Sequence, residues 1–271
     1  MDNRPVGVFD SGLGGLTAAR KIRSILPSED IIYFGDTSRV PYGGRSREIL
    51  LKYARQDVRF LRSFDIKAIV VACGTVSTTC LPQLQAENDL PVLGVVEPAC
   101  RRAVAVSKTR HVGLIATAAS VHSGTYEQII HALDPDVTVT ARACPLFVPL
   151  VENGRYERGD VVIETVAREY LEPIRGSGID TLILGCTHYP LLMDLIGEIM
   201  GPEVTLIDTG EEAAWELKRT LKAKNLLADC AQEGTTTLYA SDQPEDFGSM
   251  AKHFLQEELT SPVLQVNIDR Y

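Results

Sequence analysis

The residues that could do chemistry fall into four short clusters: Asp10-Ser11-Gly12, Cys73-Gly74-Thr75, Ala116-Thr117 and Cys186-Thr187-His188. A thiol whose unperturbed pKa lies near about 8.5 can be tuned toward neutrality by its neighbours, so cysteine can serve as an acid, a base or a nucleophile. Six cysteines, at 73, 80, 100, 144, 186 and 230, are scattered without a C-x-x-C pair or a metal-finger spacing. They are expected as free thiols, and no metal site is expected. Most free cysteines are small core residues, so only placement can single one out. Cys73 and Cys186 each close an apolar run and open a polar turn, and His188 beside Cys186 is the kind of neighbour that activates a thiol. The same pairing would suit a Cys–His hydrolase, but one thiol would then suffice and the second would be unexplained. Asp10 reads equally as a helix cap or a functional acid, and Glu152, in CPLFVPLVENG, reads by itself as a solvated loop acid. The turn DSGLGG from Asp10 to Gly15 matches neither G-x-G-x-x-G nor G-x-x-x-x-G-K-[ST], so its glycines serve a tight strand-to-helix turn as readily as a nucleotide.

The elements that must position these clusters alternate between apolar runs and amphipathic segments, the α/β pattern. Strands are expected at Val6–Phe9, Ile31–Phe34, Ala68–Ala72, Val92–Val95, Val112–Ile115, Val137–Ala141, Thr181–Leu184, Val204–Ile207 and Thr236–Tyr239. Several are continuous Val/Ile/Leu runs, as in parallel strands covered by helices on both faces. Helical stripes run through Ile49, Leu50, Tyr53, Ala54, Val58 and Leu61, and through Val162, Val166, Ala167, Tyr170, Leu171 and Ile174. The chain also repeats itself. PVGVFDSG from Pro5 aligns with HVGLIATA from His111, and DIKAIVVACGT from Asp65 aligns with GIDTLILGCTH from Gly178, which sets Cys73 against Cys186. The separations are similar, 67 residues from Val6 to Cys73 and 74 from Val112 to Cys186. Two matches in the same order indicate a duplicated unit. The expected fold is α/β, with two pseudo-symmetric doubly wound domains whose mainly parallel sheets face each other across an active-site cleft. Residues 1–96 with 208–271 would form the first domain and 97–207 the second. Ligands of parallel α/β sheets sit beyond the carboxyl ends of the strands, where all four clusters fall. Each precedes a helical pattern whose first N–H groups suit an anion.

Composition narrows the partners. The chain of 271 residues has 45% apolar and 23% charged residues and a formal net charge of −9, with no Lys/Arg-rich run. That balance argues against a nucleic-acid or anionic-membrane partner but not against a small acidic substrate, because a pocket can be locally rich in N–H donors. The opening MDNRPVGVFD lacks the apolar stretch of a signal peptide, no run reaches transmembrane length, and the expected location is cytoplasmic.

Taken in order and spacing, DSGLGGLTA, YFGDTSRVPYG, ACGTVS, IATAASVHSGTY, PLFVPLVENG, LGCTHYPLL and TTTLYASDQPEDFGSMAKHFL resemble the bacterial glutamate racemases across nearly the whole chain. The resemblance implies interconversion of L- and D-glutamate by two cysteine acid/bases, supplying D-glutamate for peptidoglycan and needing no cofactor. Cys73 and Cys186 would be the acid/bases, Cys73 serving D-glutamate and Cys186 serving L-glutamate. Asp10, Glu152 and His188 would assist them. Asp10, Ser11, Tyr42, Gly43, Gly74, Thr75, Thr117, Thr187 and His188 would line the substrate pocket. A homodimer is common in such proteins, although no residue pattern here defines an interface. One departure bears on substrate: the family's Cys-Asn-Thr reads Cys73-Gly74-Thr75, so a carboxamide that would bond the bound amino acid is missing. Ser120 replaces a usual Thr and keeps the hydroxyl. No lysine lies near a strand-end cluster to hold pyridoxal as a Schiff base. Two rival readings remain, a sibling racemase for aspartate or another amino acid, and a two-domain ligand-binding protein without activity.

Overall fold

All nine expected apolar runs form strands, and every ladder among the described residues is parallel. The structure is a computed structural model that describes residues 1–229 and 233–271, so Cys230 lies outside the described residues. The strands are β1 (Val6–Asp10), β2 (Ile31–Gly35), β3 (Ala68–Val71), β4 (Val92–Gly94), β5 (His111–Ala116), β6 (Thr138–Ala143), β7 (Thr181–Leu184), β8 (Thr205–Asp208), β9 (Thr236–Ala240) and β10 (Leu264–Gln265). In β1, β2, β3 and β7 every residue is buried, as continuous apolar runs require when helices cover both faces. The edge strand β6 is only half-buried and carries Arg142, which blurred its limits in sequence. β10 escaped sequence reading altogether. It has two exposed residues, too few to show a period.

The chain forms two units, Met1–Val95 with Gly210–Tyr271, and Val96–Thr209. The first contains a six-stranded sheet in the order β10-β9-β2-β1-β3-β4, and the second a four-stranded sheet in the order β6-β5-β7-β8. Setting β5 to β8 in place of β1 to β4 reproduces the same order. The register repeats as well, since Val6 pairs with Ala68 and Val112 with Thr181, the partners that the internal alignment assigns. One packing detail is duplicated too. A Cβ on Gly7 would lie 3.1 Å from the Ile66 side chain, and one on Gly113 would lie 2.4 Å from that of Ile179. In each unit a glycine in the first strand makes room for an isoleucine preceding the third.

Helix periodicity corrects the two expected stripes. In the helix Arg47–Leu61, capped by Ser46, the buried line runs through Leu50, Ala54, Asp57, Val58 and Leu61, leaving Ile49 exposed at the edge. In the helix Val161–Arg175, whose Val162 N–H donates to Asp160 at 2.9 Å, Ile163, Ala167, Tyr170, Leu171 and Ile174 are buried and Val162 is exposed. Positions 163, 167, 170, 171 and 174 follow the 3.6-residue period, and Val162 sits about 100° away from that line. The first unit's core is rich in rings: Phe60 touches Phe34, Phe64, Tyr239 and Tyr271 at centroid distances of 4.9 to 5.4 Å. Tyr239, on β9, thereby ties the tail to the first unit, where β9 pairs with β2. No helix of the described residues is long and apolar enough to cross a membrane.

Candidate active site

In each sheet the chain leaves its first strand, adds a neighbour on one side, then crosses to the other. This places a topological switch point between β1 and β3 in the first unit and between β5 and β7 in the second, where crevices form at strand carboxyl ends. Asp10 ends β1, and Cys73 stands two residues beyond β3. Thr117 follows β5, and Cys186 stands two residues beyond β7. Both cysteines therefore occupy the same topological position in their own unit.

At the first switch point, Asp10 is buried and its Oδ2 accepts the Gly12 N–H at 3.0 Å. It does not cap the following helix, Leu16–Ile25, whose cap is Gly15. Gly15 has ordinary helical angles, so its need for glycine is steric. A Cβ there would meet the Asp10 Cβ at 2.5 Å and the Tyr33 hydroxyl at 2.8 Å. Tyr33, fully buried on β2, donates to the Gly12 carbonyl at 2.7 Å and braces the turn from beneath. Sequence reading counted it only as part of an apolar run. Cys73 caps the short helix Gly74–Thr79, and its Sγ donates to Ser11 Oγ at 3.8 Å. Burial pushes the Cys73 thiol up to about 12, and the Asp10 carboxylate adds to the rise. Hydrogen bonds from Val76 N–H and from Ser11 oppose it. Cys73 is thus a protonated thiol at neutral pH, with donors already aimed at its sulfur. Gly74 is the first residue of that helix and is buried, with no positive φ. Thr75 is buried in the same turn.

At the second switch point the polar groups form a chain. Cys186 Sγ lies 3.8 Å from His188 Nδ1, and His188 Nε2 lies 2.9 Å from Glu152 Oε1. Burial pulls the His188 pKa down, but hydrogen bonds to Cys186 and Glu152 and their negative charge outweigh it and lift His188 from 6.5 to about 10. His188 is an imidazolium at neutral pH, donating to the sulfur on one side and to a carboxylate on the other. Glu152 ends the helix Phe147–Glu152. That helix is held by Phe147, whose ring lies 5.2 Å from that of Tyr189, while the Tyr189 hydroxyl donates to Cys144 O at 3.2 Å. Neither Tyr189 nor Phe147 shows chemistry in sequence, yet they seat the Glu152 carboxylate on His188. Gly185 lets β7 approach β5, since its N–H donates to Ile115 O at 2.7 Å and a Cβ would stand 2.9 Å from that oxygen. Thr117 caps the helix Ala118–His122: its Oγ1 accepts Ser120 N–H at 3.3 Å and donates to Ser120 Oγ at 3.1 Å. Thr187 is buried beside Cys186.

The remaining predicted positions, Tyr42 and Gly43, lie on a 3-10 turn, Tyr42–Gly44, in the first unit. Tyr42 is buried with its hydroxyl on Asp36 and Asp57, so only its backbone is left for a ligand, whereas Gly43 and Gly44 are exposed. Cys80 and Cys100 are fully buried, Cys100 with its Sγ 3.9 Å from Tyr126 O, and burial raises both thiols. Burial also pushes Cys144 up to about 12, and its Sγ donates to Arg142 O at 3.8 Å. These three are packing residues.

The Asp/Glu/Hydantoin racemase family model matches residues 20–217. The chain belongs to that family. It is 44% identical over 269 residues to a glutamate racemase of Geobacter metallireducens, covering 99% of this chain and 98% of the relative. Among solved structures, a glutamate racemase isoform of Bacillus anthracis superposes with a TM-score of 0.93 at 37% identity, covering 98% of each chain. The glutamate racemase of Francisella tularensis, solved in complex with D-glutamate, superposes with a TM-score of 0.90 at 39% identity over the whole of both chains.

Proposed function

We propose that the chain racemises glutamate without a cofactor, Cys73 and Cys186 exchanging protons with opposite faces of the substrate's α-carbon, and that the D-glutamate formed serves peptidoglycan synthesis. The observation that carries this reading is the equivalent placement of the two thiols, one at each switch point, with different electrostatic neighbours. Racemisation needs one base and one acid at the same moment, in reversed roles for the two enantiomers. Cys73, buried beside Asp10, rests as the thiol and is the proton donor. His188, protonated and hydrogen-bonded to Sγ, supplies the counter-charge for a thiolate at Cys186. With L-glutamate, Cys186 removes the α-proton and Cys73 delivers another from the opposite face. D-glutamate meets the reversed state, in which Ser11 and the Val76 N–H support a thiolate at Cys73. The α-proton is weakly acidic, so positioning, exclusion of water and N–H donors to the developing carbanion's carboxylate must lower the barrier.

A sibling specificity has one observation in its favour, Gly74 at a helix start where a carboxamide is usual in the resembling proteins. Incubation with each enantiomer of glutamate and aspartate in deuterated water separates the readings, following optical rotation and loss of the α-proton signal. Glutamate turnover is expected. Turnover of aspartate alone would move the assignment to the sibling, and silence on both would leave a binding protein.

A further inference from the structure

Behind the Tyr42–Gly44 turn lies a buried charge cluster that the mechanism does not use. Asp36 and Asp57 are both fully buried, and Arg39 reaches each of them. Its Nε donates to Asp36 Oδ2 at 2.5 Å, Nη2 to Asp57 Oδ1 at 3.0 Å and Nη1 to Gln56 Oε1 at 2.7 Å. The guanidinium carbon stands 4.2 Å from the centre of the Tyr53 ring, which itself packs on Tyr42 at 5.6 Å. Ser241 closes the far side, donating to Asp36 Oδ1 at 3.0 Å and accepting the Ser38 N–H at 2.8 Å.

The Tyr42 hydroxyl fixes the proton count. Asp36 Oδ2 is its near neighbour, and Asp57 Oδ2 is 3.2 Å away on the other side. A phenol has one hydrogen, so it can donate to only one of two carboxylate oxygens. Donation to Asp36 leaves the Asp57 contact without a proton unless Asp57 carries it. With the proton on Asp57 Oδ2, that group donates to Tyr42 and Tyr42 donates to Asp36. The cluster then holds one cation and one anion, the charge balance a buried site favours. Burial, and then the charge of Asp36, push the Asp57 carboxyl well above the usual range, against the pull of Arg39 and of the Tyr42 hydrogen bond, while Asp10 adds to the rise.

We propose that Asp57 is a neutral carboxylic acid hydrogen-bonded to Tyr42, and that Asp57 and Arg39 are positioning residues for the turn that presents Gly43 to the substrate. The turn borders the Asp10 cluster: Asp36 N–H donates to Asp10 O at 3.1 Å, and the Val40 side chain lies 3.5 Å from where a Gly12 Cβ would be. A Cβ built on Gly43 or Gly44 would meet nothing within 4 Å beyond their chain neighbours, and the turn is closed by the Arg45 N–H donating to Tyr42 O at 3.0 Å, next to the buried Tyr42 ring. The link to catalysis rests on the glutamate assignment and the placing of Tyr42 and Gly43 in the pocket; the protonation state does not.

Two readouts test the proposal in the full-length chain. An infrared difference spectrum, wild type minus Asp57→Asn, reports a carboxylic-acid C=O band at neutral pH. Racemisation in both directions gives kcat and KM. The band is expected in the wild type and absent from the variant. Asp57→Asn should keep both constants within about three-fold, because its amide offers an N–H to Tyr42 and an oxygen to Arg39. Asp57→Ala and Arg39→Lys should raise KM by about ten-fold or more with kcat less affected, since a displaced turn weakens substrate positioning. Where Asp57→Ala does not fold, Arg39→Lys carries the kinetic arm. A missing band, or an Asn variant as impaired as the Ala variant, overturns the neutral acid. Folded Ala and Lys variants with wild-type KM overturn the positioning role. Lack of glutamate turnover in the wild type would strike the assigned activity and leave the infrared result intact.

Discussion

At the residue scale the two thiols differ in what surrounds them, and the difference has a direction. His188 and, through it, Glu152 neighbour Cys186, while Asp10 and Ser11 neighbour Cys73. Replacing His188 by Asn should therefore slow L-to-D turnover at saturation more than D-to-L, and Asp10→Asn should do the reverse. The equilibrium constant of racemisation is fixed, so any unequal change in the two kcat values must be balanced by the ratio of the two KM values. Equal losses in both directions would leave these groups as packing. His188 also makes a stability prediction. Its pKa is higher folded than unfolded, so its contribution is complete below about 6.5 and is lost as pH rises toward about 10. Urea unfolding of wild type and His188→Asn at a series of pH values should show the stability gap narrowing across that window. A gap that stays constant or widens would contradict the imidazolium. The sequence could single out Cys73, Cys186 and His188 as candidates because the chemistry proposed for them is in their type and spacing. Tyr33, Tyr189, Arg39 and Asp57 are set by their packing and hydrogen bonds to residues distant in sequence, and no local pattern announces that.

At the scale of the element, glycines that look alike in sequence have different causes. Gly15 is held by crowding, so Gly15→Ala should cost about 1–3 kcal/mol through overpacking against Asp10 and Tyr33. Thermal or urea unfolding measures it, and an unchanged midpoint would mean that the turn yields freely. Gly74 is different. It begins the helix Gly74–Thr79 with no positive φ, so the conformational objection to a side chain there is removed. Gly74→Asn should fold and lower KM for glutamate, by about 1 kcal/mol or less if its amide replaces a bridging water. Weaker glutamate turnover with unchanged or better turnover of another amino acid would show a pocket built for that other substrate. Strand existence was legible here because buried parallel strands are continuous apolar runs. Their ends were less so, and the helix faces were read one residue out at Ile49 and Val162, where an apolar side chain sits just off the buried line.

At the scale of the whole molecule, the duplication seen in two short alignments extends to strand order, register and the paired Gly7–Ile66 and Gly113–Ile179 contacts. It was legible because a parallel sheet fixes each strand's place by its burial, so both copies kept the same pattern. What the copies changed is the chemistry at the switch points: Asp10 in one is Ala116 in the other, and the imidazole occurs only in the second. A symmetric scaffold with asymmetric electrostatics suits the proposed reaction, in which one thiol is the acid while the other is the base. The central claim is that both thiols are needed. Wild type, Cys73→Ser and Cys186→Ser should be compared in deuterated water with each enantiomer of glutamate, following optical rotation and α-deuteration, with stability checked in parallel. The wild type should convert both enantiomers with solvent deuterium at the α-carbon. Each serine variant should fold and lose net racemisation by several orders of magnitude, serine being far too weak an acid to form the base at neutral pH. Near-wild-type turnover in either variant, at unchanged stability, would contradict the two-thiol account.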